Sequence, residues 1–186
     1  MHPTFTPAGL SSDDARVVAD LLQERLYALV DLGLTLKHVH WNVIGPGFIG
    51  VHEMLDRQVE GVRLMADEVA ERIMTLGGIA NGLAGGLTRS RSWDDYALGR
   101  GVVEAHLGAL DKVYDGVVGG YREAIDRSEG VDPVTNDMLI AQTAKLELFQ
   151  WFVRAHIENT SGELPTTAEA TEIGAAAAAA TADPLD

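Results

Sequence analysis

The sequence predicts an all-α fold of four long helices, and three observations carry that prediction. Apolar residues recur at helical spacing through four long segments. No segment keeps the strict apolar and polar alternation of a half-buried strand. Glycine or proline punctuates the junctions between segments, where a helix has to stop.

The first helix is expected over roughly 12–42. Ser11, Ser12, Asp13 and Asp14 offer capping oxygens, and Leu22, Leu29 and Leu36 recur every seven residues along one face. Gly45-Pro46-Gly47 breaks it. The second runs from about 48 to 76 on the stripe Val51, Leu55, Val62, Val69 and Leu76, and ends at Gly77-Gly78. A glycine-rich connection to about residue 100 contains "SWDDYAL", where Ser92 is expected to cap a short extra helix. The third helix uses Val103, Leu110, Val117 and Tyr121 and ends near Ser128. Asp132 then caps, with Pro133 at the first helical position, and the fourth helix is expected to reach about Gly162 on Leu139, Leu146, Phe149, Val153 and Ile157. A helix of about 30 residues is roughly 45 Å long, so the long second connection can carry the chain from one end of a bundle to the other. Two antiparallel pairs joined by such a crossover resemble the ferritin-like four-helix bundle. Residues 1–10 are assigned to an extension and 11–162 to the bundle. Residues 163–186 lack lysine and arginine, carry few large apolar groups and have a run of six alanines too short to hold a helix alone; they are expected to be mostly disordered.

The formal charge of −14 repels nucleic acid and acidic membranes and attracts cations. Cysteine is absent, no stretch approaches the about 20 apolar residues of a membrane span, and the start lacks a signal-peptide pattern. A cytoplasmic location without nucleoid association is expected.

The second helix carries more than a core stripe. His52, Asp56, Asp67 and Glu71 share a different face, as two pairs each four residues apart. Asp56 and Asp67 are separated by about 16 Å along the axis, so one helix cannot close a single site with all four. Two copies packed antiparallel about a two-fold axis can: the register that sets Asp56 opposite Asp67 also sets His52 opposite Glu71 and Glu60 opposite Arg63. His40, on the inward stripe at the end of the first helix, adds a second imidazole. Two imidazoles with three carboxylates suit iron, manganese or zinc, and redox-active iron is the sharper expectation.

These residues carry a resemblance. "HWNV.GP.F...H...D", from His40 to Asp56, followed by "DE.AER" from Asp67, resembles the Dps mini-ferritins, the DNA-binding proteins from starved cells. The likeness covers roughly residues 10–162, including "FQWFVRAHIE" in the fourth helix. It implies a ferroxidase centre shared across a dimer two-fold, with His40, His52 and Asp56 from one subunit and Asp67 and Glu71 from its neighbour. It further implies a hollow twelve-subunit shell that oxidises Fe(II), preferably with hydrogen peroxide, and stores the ferric product, limiting oxidative stress. Zinc or manganese can substitute for iron at such a centre. Trp41 and Trp151 look like the family's tryptophans beside the centre, although packing accounts for them equally well. Asp132 and Asp137 match positions that line iron-entry pores, and both are also ordinary helix-start acids.

One departure bears on DNA. Neither terminus supplies the basic tail through which the family commonly binds it, so direct DNA binding is expected to be weak or absent. Among alternatives, the larger ferritins build their site from Glu-x-x-His, and no histidine here has an acid three positions before it. An architectural, DNA-compacting oligomer with a vestigial metal site calls for the basic tails that are missing. His2, His38, His106 and His156 are read as packed or solvated side chains, and Met54, Met65 and Met74 as interface fillers.

Overall fold

A computed structural model describes residues 9–182. Helix α1 (Ser12–Asn42) begins at Ser11, whose hydroxyl accepts from the Asp14 N–H, and Asp13 and Asp14 face the helix dipole in the first turn. A short strand β1 (Val43–Ile44) follows, and Gly45 and Gly47, at φ of 101° and 76°, turn the chain through conformations open to glycine. Helix α2 (Phe48–Thr75) returns alongside α1 and closes on Gly77 at φ 83°, with Gly78 N–H bonded back to the Ile73 carbonyl. Contacts between Gly33 and Val62, and between His40 and His52, run in opposite senses along the two helices, so they form an antiparallel hairpin.

The crossover differs from expectation. Its helix, α3, spans Ala84–Ser90, whereas residues 92–98, predicted helical behind Ser92, are irregular. There the polar groups bond to distant elements: Trp93 Nε1–H donates to Asp31 at 2.6 Å, and Ala97 N–H to Glu172 at 2.8 Å. Tertiary partners outweigh a local cap. Of the glycines that hid α3, Gly86 is required by packing, since a Cβ there would stand 2.7 Å from the Tyr27 hydroxyl.

Strand β2 (Gly101–Val102) pairs parallel to β1, Val43 with Gly101 and Ile44 with Val102, tying the end of α1 to the start of α4 (Val103–Ser128). Asp132 caps α5 (Pro133–Arg154) with Pro133 at its first turn. This helix stops at Arg154, short of Gly162. Turn hydrogen bonds carry residues 155–158, and the Asn159 side chain accepts from the Ser161 and Glu163 N–H groups to form a loop closed by Gly162 at φ 81°.

The expected core is present: Leu22, Leu29, Leu36, Val51, Leu55, Val62, Val69, Leu110, Tyr121, Leu139, Leu146 and Val153 are all buried. Two tyrosines of α4 thread hydrogen bonds through it, Tyr114 to Gln58 of α2 and Tyr121 to Gln142 of α5, and Gln142 in turn donates to Glu68. Paired in this way, the buried polar groups escape the desolvation penalty. Burial pushes both phenols well above their ordinary range.

The tail also departs from expectation. Residues 172–181 form α6 (Glu172–Thr181), capped by Thr171 and packed on α4 through buried Ala175, Ala176 and Ala179. Gly108 of α4 permits the approach, because a Cβ there would lie 2.5 Å from the Ala175 carbonyl oxygen. An isolated alanine run of this length is marginal, and docking supplies what propensity lacks. Of the extension at 1–10, residues 1–8 lie outside the described part.

Candidate metal centre

The last turn of α1 and the first turns of α2 converge. His40 is buried at 6% exposure because its ring lies on the inward stripe that also holds Leu36, and His52 sits one turn into α2 beside Phe48, at 5.0 Å between ring centroids. The two imidazoles stack at 3.5 Å with an interplanar angle of 22°. His40 Nδ1 lies 3.0 Å from the His52 carbonyl oxygen, and His52 Nδ1 lies 3.0 Å from the His40 carbonyl. A carbonyl only accepts, so each Nδ1 carries the proton and each Nε2 keeps its lone pair. That is the arrangement in which metal-binding histidines are held.

Asp56, one turn beyond His52, brings a carboxylate to the same place. Ligating atoms of His40, His52 and Asp56 lie within 4.8 Å of one another. Asp56 Oδ1 is also 3.3 Å from His40 Nδ1 and accepts from Lys37 Nζ at 2.8 Å. The Lys37 hydrogen bond, ahead of the nearby imidazoles, holds the Asp56 carboxyl below its ordinary value. Lys37 reaches it by lying along Trp41, with its ammonium 5.8 Å from the ring centroid. Lys37 was not singled out from sequence, although its place three residues before His40 puts it on the same helical face.

Asp67 and Glu71 lie elsewhere. They are exposed, three and four turns further along α2, outside the three-residue cluster. Glu60, Arg63 and Leu64 on the same helix are also exposed, Leu64 at 61%, as are Leu34 and Trp41 at the surface of α1. Trp151 is exposed on α5, against Phe152. Neither tryptophan fills this chain's own core.

Asp132 is spent within the chain. It caps α5, accepts from Arg72 at 2.6 Å and takes a hydrogen bond from the Thr135 hydroxyl, with its side chain 3% exposed. Asp137 is exposed. His38 and His106 are packed as expected, but around an unforeseen partner: Tyr96 of the crossover contacts His106 Nδ1 at 3.0 Å and meets His38 edge-on. Nothing local in "SWDDYAL" signals that contact, because it depends on how the crossover lies. No helix is long and apolar enough to cross a membrane among the described residues.

Sequence and fold are both similar to those of known proteins. A protein-family model described as Ferritin-like domain matches residues 19–162. The DNA protection during starvation protein of Mycolicibacterium smegmatis is 56% identical over 173 residues, covering 93% of this chain and 94% of that protein. A solved structure of Mycobacterium smegmatis Dps superposes with a TM-score of 0.88 at 55% identity, covering 90% of this chain and 96% of that one. DpsA14 from Streptomyces coelicolor superposes with a TM-score of 0.86 at 55% identity, covering 88% and 98%. The chain therefore belongs to the ferritin-like family and, within it, to the Dps proteins.

Proposed function

We propose that this protein is a ferroxidase and iron-storage mini-ferritin whose centres are shared between subunits. One observation carries the reading: a single chain gathers His40, His52 and Asp56 into one cluster but leaves Asp67 and Glu71 exposed further along the same helix. Three ligands with open positions make half a centre, and an antiparallel two-fold crossing of α2 supplies the other two. The exposed Leu34, Trp41 and Leu64 give that crossing an apolar surface to bury.

Fe(II) is the substrate. The imidazole Nε2 atoms and Asp56 hold it from one side, and the neighbour's Asp67 and Glu71 from the other. Two Fe(II) each give one electron to hydrogen peroxide; its O–O bond breaks and two protons complete two water molecules, so no hydroxyl radical is released. Ferric product collects inside a homo-oligomeric shell, of twelve subunits if the resemblance to the Dps mini-ferritins extends to assembly. Of the two acids matched to an entry pore, Asp137 has the exposed carboxylate. DNA is protected by removal of iron and peroxide, with direct binding weak, because residues 163–186 contain no cation and α6 within them is docked on α4. A cytoplasmic location fits this role.

Peroxide consumption with added Fe(II) tests the reading. Asp67→Ala is expected to abolish it with shell mass unchanged. Full activity in that variant overturns the shared centre, and a gel-shift titration across salt tests the DNA statement.

A further inference from the structure

We propose that the docked carboxyl-terminal segment braces the metal centre: α6 fixes the crossover at Ala97, and the crossover fixes the last turn of α1, which carries His40. The inference rests on the metal-centre reading above and assigns positioning roles to Glu172 and Tyr96.

The chain of contacts is continuous. Thr166, fully buried, donates to Asp111 of α4 at 2.7 Å, and Asp111 is also held by Gln150 and Arg154 of α5. This anchors the tail to both helices of the second hairpin. Gly108 then lets α6 lie against α4 at backbone distance, which aims Glu172, the first residue of α6, at the crossover. Its carboxylate accepts from Ala97 N–H at 2.8 Å. Tyr96, next in the chain, reaches inward to His106 of α4 and to the edge of the His38 ring. His38 Nε2–H donates to the Leu98 carbonyl at 2.8 Å. Three residues on, β2 pairs with β1, which directly follows α1.

The last turn of α1 is thus gripped on two sides. His40 faces α2 and bonds to the His52 carbonyl; His38, two residues before it, faces the crossover and bonds to Leu98. The side of the turn that carries the ligand has a partner in α2. The other side is held by an irregular segment with no regular structure between Arg91 and Arg100. Apart from the Arg91–Asp95 ion pair within it, such a segment depends on contacts to other elements for its shape, and the Glu172 bond reaches it from α6. Ligand positions are set by such supporting contacts, and their loss weakens metal affinity without removing a ligand.

Two independent lesions test this in the full-length shell: Gly108→Val, whose Cβ meets the Ala175 carbonyl, and Glu172→Ala, with Glu172→Gln as the conservative control that keeps an acceptor for Ala97. Readouts are hydrogen exchange of residues 38–44 and 96–102, and anaerobic Co(II) titration followed by its visible d–d bands, with shell mass measured alongside. Gly108→Val and Glu172→Ala are expected to speed exchange in both segments, shift the d–d bands and weaken Co(II) binding about three- to tenfold, and Gln is expected to restore all three. Faster exchange in 96–102 with wild-type Co(II) affinity and bands overturns the brace. So does unchanged exchange in Glu172→Ala. His40→Ala separates the two readings: if it binds Co(II) like wild type, the metal centre itself is wrong, whereas loss there with intact tail variants removes only the brace.

Discussion

His40 and His52 hold each other by the backbone, each ring donating Nδ1–H to the other's carbonyl at 3.0 Å. The clamp joins the end of α1 to the start of α2 and, in the same stroke, leaves each Nε2 as the unprotonated ring nitrogen. His52→Ala therefore removes a proposed ligand and half of the clamp, whereas Asp67→Ala removes a proposed ligand that lies outside the cluster. Metal-free His52→Ala is expected to lose about 1 kcal/mol of stability and metal-free Asp67→Ala close to none. Denaturant unfolding at matched shell concentration in the presence of chelator checks the contrast. Equal stability in the two variants would show the clamp to be energetically idle.

Complementation follows from the half-centres. On the proposed shared centre His52→Ala and Asp67→Ala damage opposite sides, so each is expected to be inactive alone. In a mixed dimer one centre collects both lesions and the other collects none. Subunits unfolded together and reassembled at equal ratio are expected to regain about a quarter of wild-type centres, since half the dimers are mixed and each has one intact centre. Peroxide-dependent Fe(II) oxidation per subunit reads the fraction. Recovery no greater than in either parent would mean that all ligands of a centre come from one chain.

The helices and the cluster were legible in sequence for one reason and the tail was not for another. Leu22, Leu29 and Leu36 on one helix, and Val51, Leu55, Val62 and Val69 on the next, are periodic because each must face the core, and they are buried as that period requires. His40, His52 and Asp56 could be placed by the same geometry, being one turn apart or joined by a short break. Residues 84–98 and 163–182 follow contacts that no local pattern encodes. Position 86 is glycine because Asn81 and Tyr27 leave no space for a side chain, and Ala97 gives its N–H to a carboxylate 75 residues away. The alanine run is a poor helix by itself and becomes one where Gly108 opens a berth for it.

Lys37 supplies the positive charge beside Asp56, at 2.8 Å, before any divalent cation arrives. Like charges repel across the cluster, although partial exposure of both side chains screens the effect. Lys37→Met keeps the length that packs along Trp41 and removes the charge. It is expected to tighten Co(II) binding about three- to tenfold, with the gain shrinking as salt rises. Weaker binding in Lys37→Met would instead mean that the ammonium is needed to hold Asp56 in its ligating position.

Asp132 ties α5 to α2 through one carboxylate: it caps α5, takes the hydroxyl of Thr135 in the same helix and pairs with Arg72 of α2. Burial pushes its pKa up, but the hydrogen bonds from Thr135 and Arg72, the arginine charge and the Val134 N–H outweigh burial and hold it below 3.8. A carboxyl depressed in the folded state contributes stability that is complete above its unfolded pKa, near that value, and disappears as pH falls through the lower folded one. Asp132→Asn keeps a capping oxygen and deletes the charge, leaving Arg72 its hydrogen bond to Thr135 without the carboxylate it pairs with. It is expected to cost about 1–3 kcal/mol at pH 7, and Asp132→Ala about 1 kcal/mol more for the lost cap. Denaturant unfolding at pH 7 and again well below pH 3.8 reads the difference. The Asn deficit is expected to narrow in acid, where wild type too is losing its carboxylate; a deficit of the same size at both pH values would locate it in packing around Thr135 and not in the ion pair.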